Sequence, residues 1–181
     1  GRHGAPHAGG EGTHVSHLVV ALLQMESERF DQSANGEKGE RFCREAAERG
    51  ADIALFPEMW NIGYTPWRDG VWERDIDPLD AGETERELRR AWRRRAVPLA
   101  GPFVERFRKL GEETDMAIAV TFLERRGRLP RNTLALFDRH GELALHYSKV
   151  HTCDFGMDVE TAPGDAFRVS ELDTAAGPVL V

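Results

Sequence analysis

Three short stretches of this chain carry side chains able to do chemistry. The first is ADIALFPEMWNIGY, residues 51–64, where an apolar run breaks at Pro57 and Glu58 follows at once. Proline cannot donate to a strand ladder, so the break is forced there. In open α/β architectures functional groups gather just beyond the carboxyl ends of strands, the place where Glu58 stands. Period-2 alternation would put Ala54, Phe56 and Glu58 on one face if the strand continues that far. Desolvation on an apolar face raises a carboxyl pKa, which suits a general base near neutral pH. A helix cap or a surface-loop carboxylate is the other reading of the same position.

The second stretch is ELALHYSK, residues 142–149, whose alternation places Leu143, Leu145, Tyr147 and Lys149 on one face. Lysine is rarely buried without a partner. Paired with Glu58, it would hold a cation where negative charge develops on a substrate oxygen. Alternatively, it ends the strand and its ammonium reaches water past an apolar stem. The third stretch, HTCDF at 151–155, holds His151 and Cys153 two residues apart. That invites a Cys/His nucleophile, although no orienting partner follows, and loop packing is the alternative for both. Trp60, Tyr64, Trp67 and Trp72 fall in a long segment from Pro57 to Gly82, where they would line a small-molecule pocket or staple the loop to the core. There is no Gly-rich phosphate loop, no metal-ligand cluster and no G-x-S-x-G elbow, so neither metal nor cofactor is expected.

These side chains need a frame. Residues 1–16, rich in Gly and His, read as a disordered leader, and His3, His7, His14 and His17 lack ligand spacing. HLVVALLQM (17–25) has strand length, and 31–50 read as a helix capped by Asp31 or Ser33, striped by Phe42, Cys43, Ala46 and Ala47, and ended by Gly50. With ADIALF this makes a βαβ unit, which predicts parallel strands covered by helices. A polar helix near 83–95 shows Leu88, Ala91 and Trp92 at helical spacing, and Pro102 suits the first turn of another helix with stripe Phe103, Phe107 and Leu110. MAIAVTFLE (116–124) is a strand, 132–149 a hairpin turning at 139–141, and FRVSEL and PVLV two weak strands. GPVLV begins like a core strand at the end of the chain.

The 181 residues, 30% charged and 40% hydrophobic, suffice for one domain with a real core. No run is long enough to span a bilayer and no signal peptide is apparent, so no membrane partner and a cytoplasmic location are expected. A net charge of −7 argues against nucleic acid as a partner, and RRAWRRR (89–95) reads as a solvated helix face. The two cysteines, Cys43 and Cys153, fit a reducing compartment.

Together the pieces resemble the carbon–nitrogen hydrolase family, the nitrilase superfamily. VVALLQM looks like its opening strand, GADIALFPEMWNIGY like its catalytic-glutamate motif, HYSKVHTCDF like its catalytic-lysine motif and TAPGDAF like its Pro-Gly loop. The resemblance implies an α/β fold, a four-layer α-β-β-α sandwich. It also implies hydrolysis of a small amide or N-carbamoyl compound through a covalent cysteine intermediate, with Glu58 as base and Lys149 as oxyanion cation. A second glutamate of many members aligns with Asp158, with Glu160 two residues on. The family's cysteine lies just beyond the strand that GPVLV begins, and neither Cys43 nor Cys153 matches it. Residues 17–181 are therefore expected to be the N-terminal part of a single hydrolase domain, inactive alone and homo-oligomeric at full length. The rival expectation is a non-catalytic, hydrolase-like binding module.

Overall fold

Residues 17–64 and 83–181 are described in a computed structural model. The leader 1–16 with His3, His7 and His14, and the segment 65–82 with Trp67 and Trp72, lie outside the described residues. In chain order the elements are β1 (Val20–Leu22), α1 (Gln32–Glu48), β2 (Ile53–Leu55), α2 (Glu83–Arg93), α3 (Pro102–Thr114), β3 (Ala117–Glu124), β4 (Arg131–Phe137), β5 (Leu143–Ser148), β6 (Glu171–Thr174) and β7 (Gly177–Leu180). A 3-10 turn, Asp158–Glu160, follows β5.

The first five strands form one sheet in the order β1-β2-β3-β4-β5. β1, β2 and β3 are parallel, as the βαβ pattern requires, and β4 and β5 continue antiparallel. β3 is buried along its whole length at the centre. β1 is shorter than its apolar run, only three residues at the sheet edge, with Leu18, Val19, Val20 and Leu22 exposed.

Helices α1 and α3 cover one face of the sheet. Asp31 caps α1 by accepting from the Ala34 amide at 3.0 Å. The buried stripe of α1 is Asn35, Gly36, Gly39, Cys43 and Ala46, so Phe42, expected on it, turns out toward solvent. Gly39 permits the close approach: a Cβ there would meet the Phe56 ring at 2.7 Å and Trp60 Nε1 at 2.8 Å. α3 starts with Pro102 and buries Val104, Phe107 and Leu110 against Phe56, Ile118 and Val120. On the other face Ile53, Ala117, Ala119 and Leu136 pack beneath Leu172 and Val179 of the antiparallel β6–β7 hairpin. GPVLV is thus half of a hairpin laid across the sheet, with Leu180 76% exposed, and not a strand inside it.

α2 builds a smaller core of its own. Trp92 is fully buried with Met59, Ile62, Leu123 and Met157 and donates to the Gly63 carbonyl at 3.2 Å. Part of RRAWRRR is therefore not a solvated face: Arg89 is 4% exposed and donates to Gly156 O at 2.9 Å and to Glu85. Burial of a guanidinium is tolerated because it is paired and its donors are used. Among the described residues no helix is long and apolar enough to cross a membrane.

Candidate active site

The segments after β2 and β5 and the start of β4 bring five polar side chains together: Glu58, Tyr64, Asn132, Lys149 and Asp158. β2 ends at Leu55, and the chain turns sharply at Pro57–Met59. The Thr121 hydroxyl of β3 donates to the Pro57 carbonyl, and the Trp60 amide donates back to Thr121 Oγ1 at 3.2 Å. Met59 takes a left-handed conformation, φ 57°, with its side chain fully buried, and its carbonyl accepts from Gly63 N at 2.7 Å. Such strain persists where surrounding contacts over-determine it, and it cluster at sites that present a side chain. The alternation therefore stops at Phe56. Glu58 does not share the apolar face of Ala54 and Phe56; its side chain is 48% exposed.

Lys149 follows β5 and is pinned through its backbone. Its amide donates to Asn132 O at 2.8 Å, and its carbonyl accepts from Gly164 N at 2.8 Å. Gly164 belongs to TAPGDAF, and a Cβ on it would lie 2.1 Å from the Ser148 carbonyl oxygen, so this loop can seat against the lysine strand only with glycine there.

The side chains then converge. The Lys149 ammonium lies 3.0 Å from Glu58 Oε1, 2.8 Å from Asp158 Oδ2 and 3.2 Å from the Tyr64 hydroxyl. All three of its protons have acceptors. Tyr64 Oη is 2.6 Å from Glu58 Oε1 and 2.9 Å from Asp158 Oδ1, so its one proton serves one carboxylate at a time. Asn132 Nδ2 donates to Glu58 Oε1 at 2.5 Å and to Tyr64 Oη at 2.7 Å. Three donors thus hold Glu58 Oε1, while Oε2 accepts from no described residue.

Asp158 is 3% exposed and also accepts from the Cys153 amide at 2.9 Å. Burial pushes its carboxyl up, but the Cys153 amide, Lys149 and Tyr64 more than offset this and hold it below the usual range. Burial draws the Lys149 ammonium down, yet Asp158 and Glu58 hold it above its ordinary value. The Tyr64 phenol is raised strongly by burial and then by the two carboxylates, so it stays a neutral donor.

Of the residues expected at the site, Glu58, Lys149, Tyr64 and Asp158 are brought together. Glu160 is not: it pairs with Arg93 at 2.8 Å and lies 3.7 Å from Arg89, bracing the Asp158 turn against α2. Trp60 is 1% exposed, donates to Asn35 O at 3.0 Å and packs on Phe56, so it staples the loop to the core. Cys153 and His151 make no hydrogen bond to each other, and the His151 ring meets Phe167 edge-on at 5.7 Å. Burial and then Asp158 push the Cys153 thiol up. Asn132 escaped the sequence reading, because a lone asparagine opening a strand carries no local signal. Among the described residues no group of three or more His, Cys, Asp or Glu is placed to hold a metal ion.

The sequence profile of a family described as carbon-nitrogen hydrolase matches residues 19–174. A nitrilase 2 from an unknown prokaryotic organism is 32% identical over 141 residues, which are 76% of this chain and 42% of that protein. The N-carbamoylputrescine amidase of Oryza sativa subsp. japonica is 31% identical over 149 residues, 81% of this chain and 41% of that protein. The crystal structure of an amidase from Nesterenkonia sp. superposes with a TM-score of 0.60 at 22% identity, over 90% of this chain and 53% of that one. At that identity the likeness speaks for the fold, which is that of the nitrilase superfamily. The chain belongs to the carbon-nitrogen hydrolase family. It spans less than half the length of these two curated relatives.

Proposed function

We propose that Glu58 and Lys149 are the base and the cation of a site that hydrolyses non-peptide C–N bonds in a small amide or N-carbamoyl compound. The observation that carries this reading is the orientation of Glu58: Oε1 is held by Lys149, Tyr64 and Asn132, and on this half-exposed side chain Oε2 accepts from no described residue. A carboxylate fixed through one oxygen is a base aimed through the other. In the proposed cycle a cysteine thiol gives its proton to Oε2 as its sulfur attacks the carbonyl carbon. The C–N bond then breaks, and the same proton leaves with the amine. Glu58 next takes a proton from water, which attacks the thioester and releases the acid and the thiol. Lys149 turns one N–H from its resting partners toward the oxyanion, and Asp158 and Tyr64 hold the ammonium in place.

Neither cysteine of this chain serves as that nucleophile. Cys43 is fully buried on α1 with its thiol pushed up to about 12, chiefly by burial. Cys153 has its thiol raised beside Asp158, the opposite of what an attacking thiolate needs. The 181-residue chain by itself is accordingly proposed to be inactive. The test is ammonia release from acetamide and from N-carbamoylputrescine, by this chain and by the intact polypeptide isolated from its native source. The expected result is turnover by the intact polypeptide and none by the 181-residue chain. Turnover by the clean chain that disappears in Glu58→Gln would return the nucleophile to Cys153. An intact polypeptide that cleaves no C–N substrate would overturn the reaction class.

A further inference from the structure

We propose that the arginine-lined cleft between α2 and the β3–β4 turn is a binding site for a free, small, multivalent oxyanion of the phosphate class. Arg90, Arg93 and Arg94 line it from the end of α2, and Arg125, Arg126 and Arg128 line it from the turn, around a cavity of about 520 Å³. That volume is in the range of small-molecule sites, about 300–1,000 Å³.

The charge distribution is what needs explaining. The chain holds 31 Asp and Glu against 24 Lys and Arg, yet among the described residues no carboxylate lines this cleft. Arg93 is paired with Glu160 at 2.8 Å, and the charge of Arg126 reaches the buried Glu124. Arg90, Arg94, Arg125 and Arg128 have no salt-bridge partner among the described residues, and all four are exposed. Guanidinium groups gathered this closely repel one another, and a bound polyanion relieves that repulsion. The C-terminus of α2 contributes about half a negative charge, which opposes an anion there. The four guanidinium groups without a salt-bridge partner among the described residues outweigh it.

Geometry narrows the ligand. Arginine forks recognise phosphate oxygens two at a time. Among the described residues no aromatic side chain lines the cleft to stack a base, which disfavours single-stranded nucleic acid. At the turn Gly127, φ 72°, leaves its Cβ side open, with nothing within 4 Å, so no side chain there obstructs the cleft. The cleft lies at the sheet end that holds the Glu58 cluster, since β3 runs into Arg125 and β4 opens at Arg131 beside Asn132. It shares none of that cluster's side chains, so anion binding is separable from hydrolysis.

The experiment is isothermal titration of the 181-residue chain with sodium tripolyphosphate, at constant ionic strength. The comparison proteins are the triple variant Arg90→Ser, Arg94→Ser, Arg128→Ser and a control, Arg49→Ser with Arg168→Ser, which removes exposed arginines elsewhere. The expected result is one-site binding that weakens at least tenfold in the triple variant and changes less than twofold in the control. Raising NaCl should weaken it further, as screening requires. Should the triple variant lose its cooperative melt, the single exposed-turn variant Arg128→Ser is expected to weaken binding severalfold. Absence of tripolyphosphate binding, or equal binding by wild type and Arg128→Ser, would overturn the proposal. So would binding of an oligothymidylate by a chain that does not bind tripolyphosphate.

Discussion

Replacing Gly164 by alanine should damage the lysine strand without touching any charged group. An ideal Cβ at this position would sit 2.1 Å from the Ser148 carbonyl oxygen and 2.9 Å from its carbonyl carbon, both backbone atoms that cannot rotate away. Relief requires the 161–167 loop to lift, which breaks the 2.8 Å hydrogen bond from Gly164 N to Lys149 O. Overpacking of this kind costs about 1–3 kcal/mol. The lost hydrogen bond adds about 1 kcal/mol. The sum, about 2–4 kcal/mol, corresponds in a domain of this size to a Tm lower by roughly 5–15 °C. Urea denaturation followed by tryptophan fluorescence would give the free-energy change, and calorimetry the Tm. Gly50→Ala is the control: its backbone is left-handed, φ 77°, but nothing lies within 4 Å of its Cβ direction. Its cost should be only the left-handed penalty, about 1–2 kcal/mol. A Gly164→Ala variant within about 0.5 kcal/mol of wild type would refute the claim that the Pro-Gly loop pins Lys149.

Asp158→Asn should destabilise the chain by roughly 2–3 kcal/mol at pH 7, the low side of breaking a buried ion pair because Lys149 stays partly exposed. The folded-state pKa of Asp158 is depressed, so its contribution is complete above the unfolded value of about 3.9 and is lost as pH falls through the folded value. Denaturant midpoints across pH 2–7 should therefore fall less steeply on the acid side in the variant, and parallel acid limbs would contradict the assignment. Lys149 acts in the opposite direction: its pKa is raised, so its contribution is complete below about 10.5 and is lost as pH rises beyond the folded value. Thiol labelling offers a separate check. In the native chain iodoacetamide should modify part-exposed Cys153 while leaving buried Cys43 unreacted, with both labelled in denaturant. Rapid native labelling of Cys43 would show that α1 does not pack as described.

Glu58 and Lys149 were legible because each places a charge beside a run of apolar residues, a mismatch visible within one window. Their meeting was an inference across 91 residues, and the two side chains lie 3.0 Å apart. What was not legible comes from geometry that no window holds. The alternation that placed Glu58 with Phe56 assumed an extended chain, whereas β2 is three residues long and Met59 turns left-handed. Choosing Asp158 over Glu160 depended on a 3-10 turn that points one carboxylate at Lys149 and the other at Arg93. Arg89 looked like surface because its burial rests on the Gly156 carbonyl, 67 residues away. The parallel order of β1, β2 and β3 followed from strand–helix–strand alone, but the β6–β7 hairpin depended on which sheet face was left for it to cover.

The most direct test of the account is steady-state ammonia release from a small amide by the intact native polypeptide, compared with Glu58→Gln and Lys149→Met at matched folded fraction. The account predicts a fall in kcat of about 10³-fold or more for each, since loss of a general base alone costs about 10²–10⁴-fold. Because both groups act as one unit, the double variant should be little worse than either single one. Variants that keep kcat within tenfold of wild type would contradict the claim that this cluster is the catalytic base and cation.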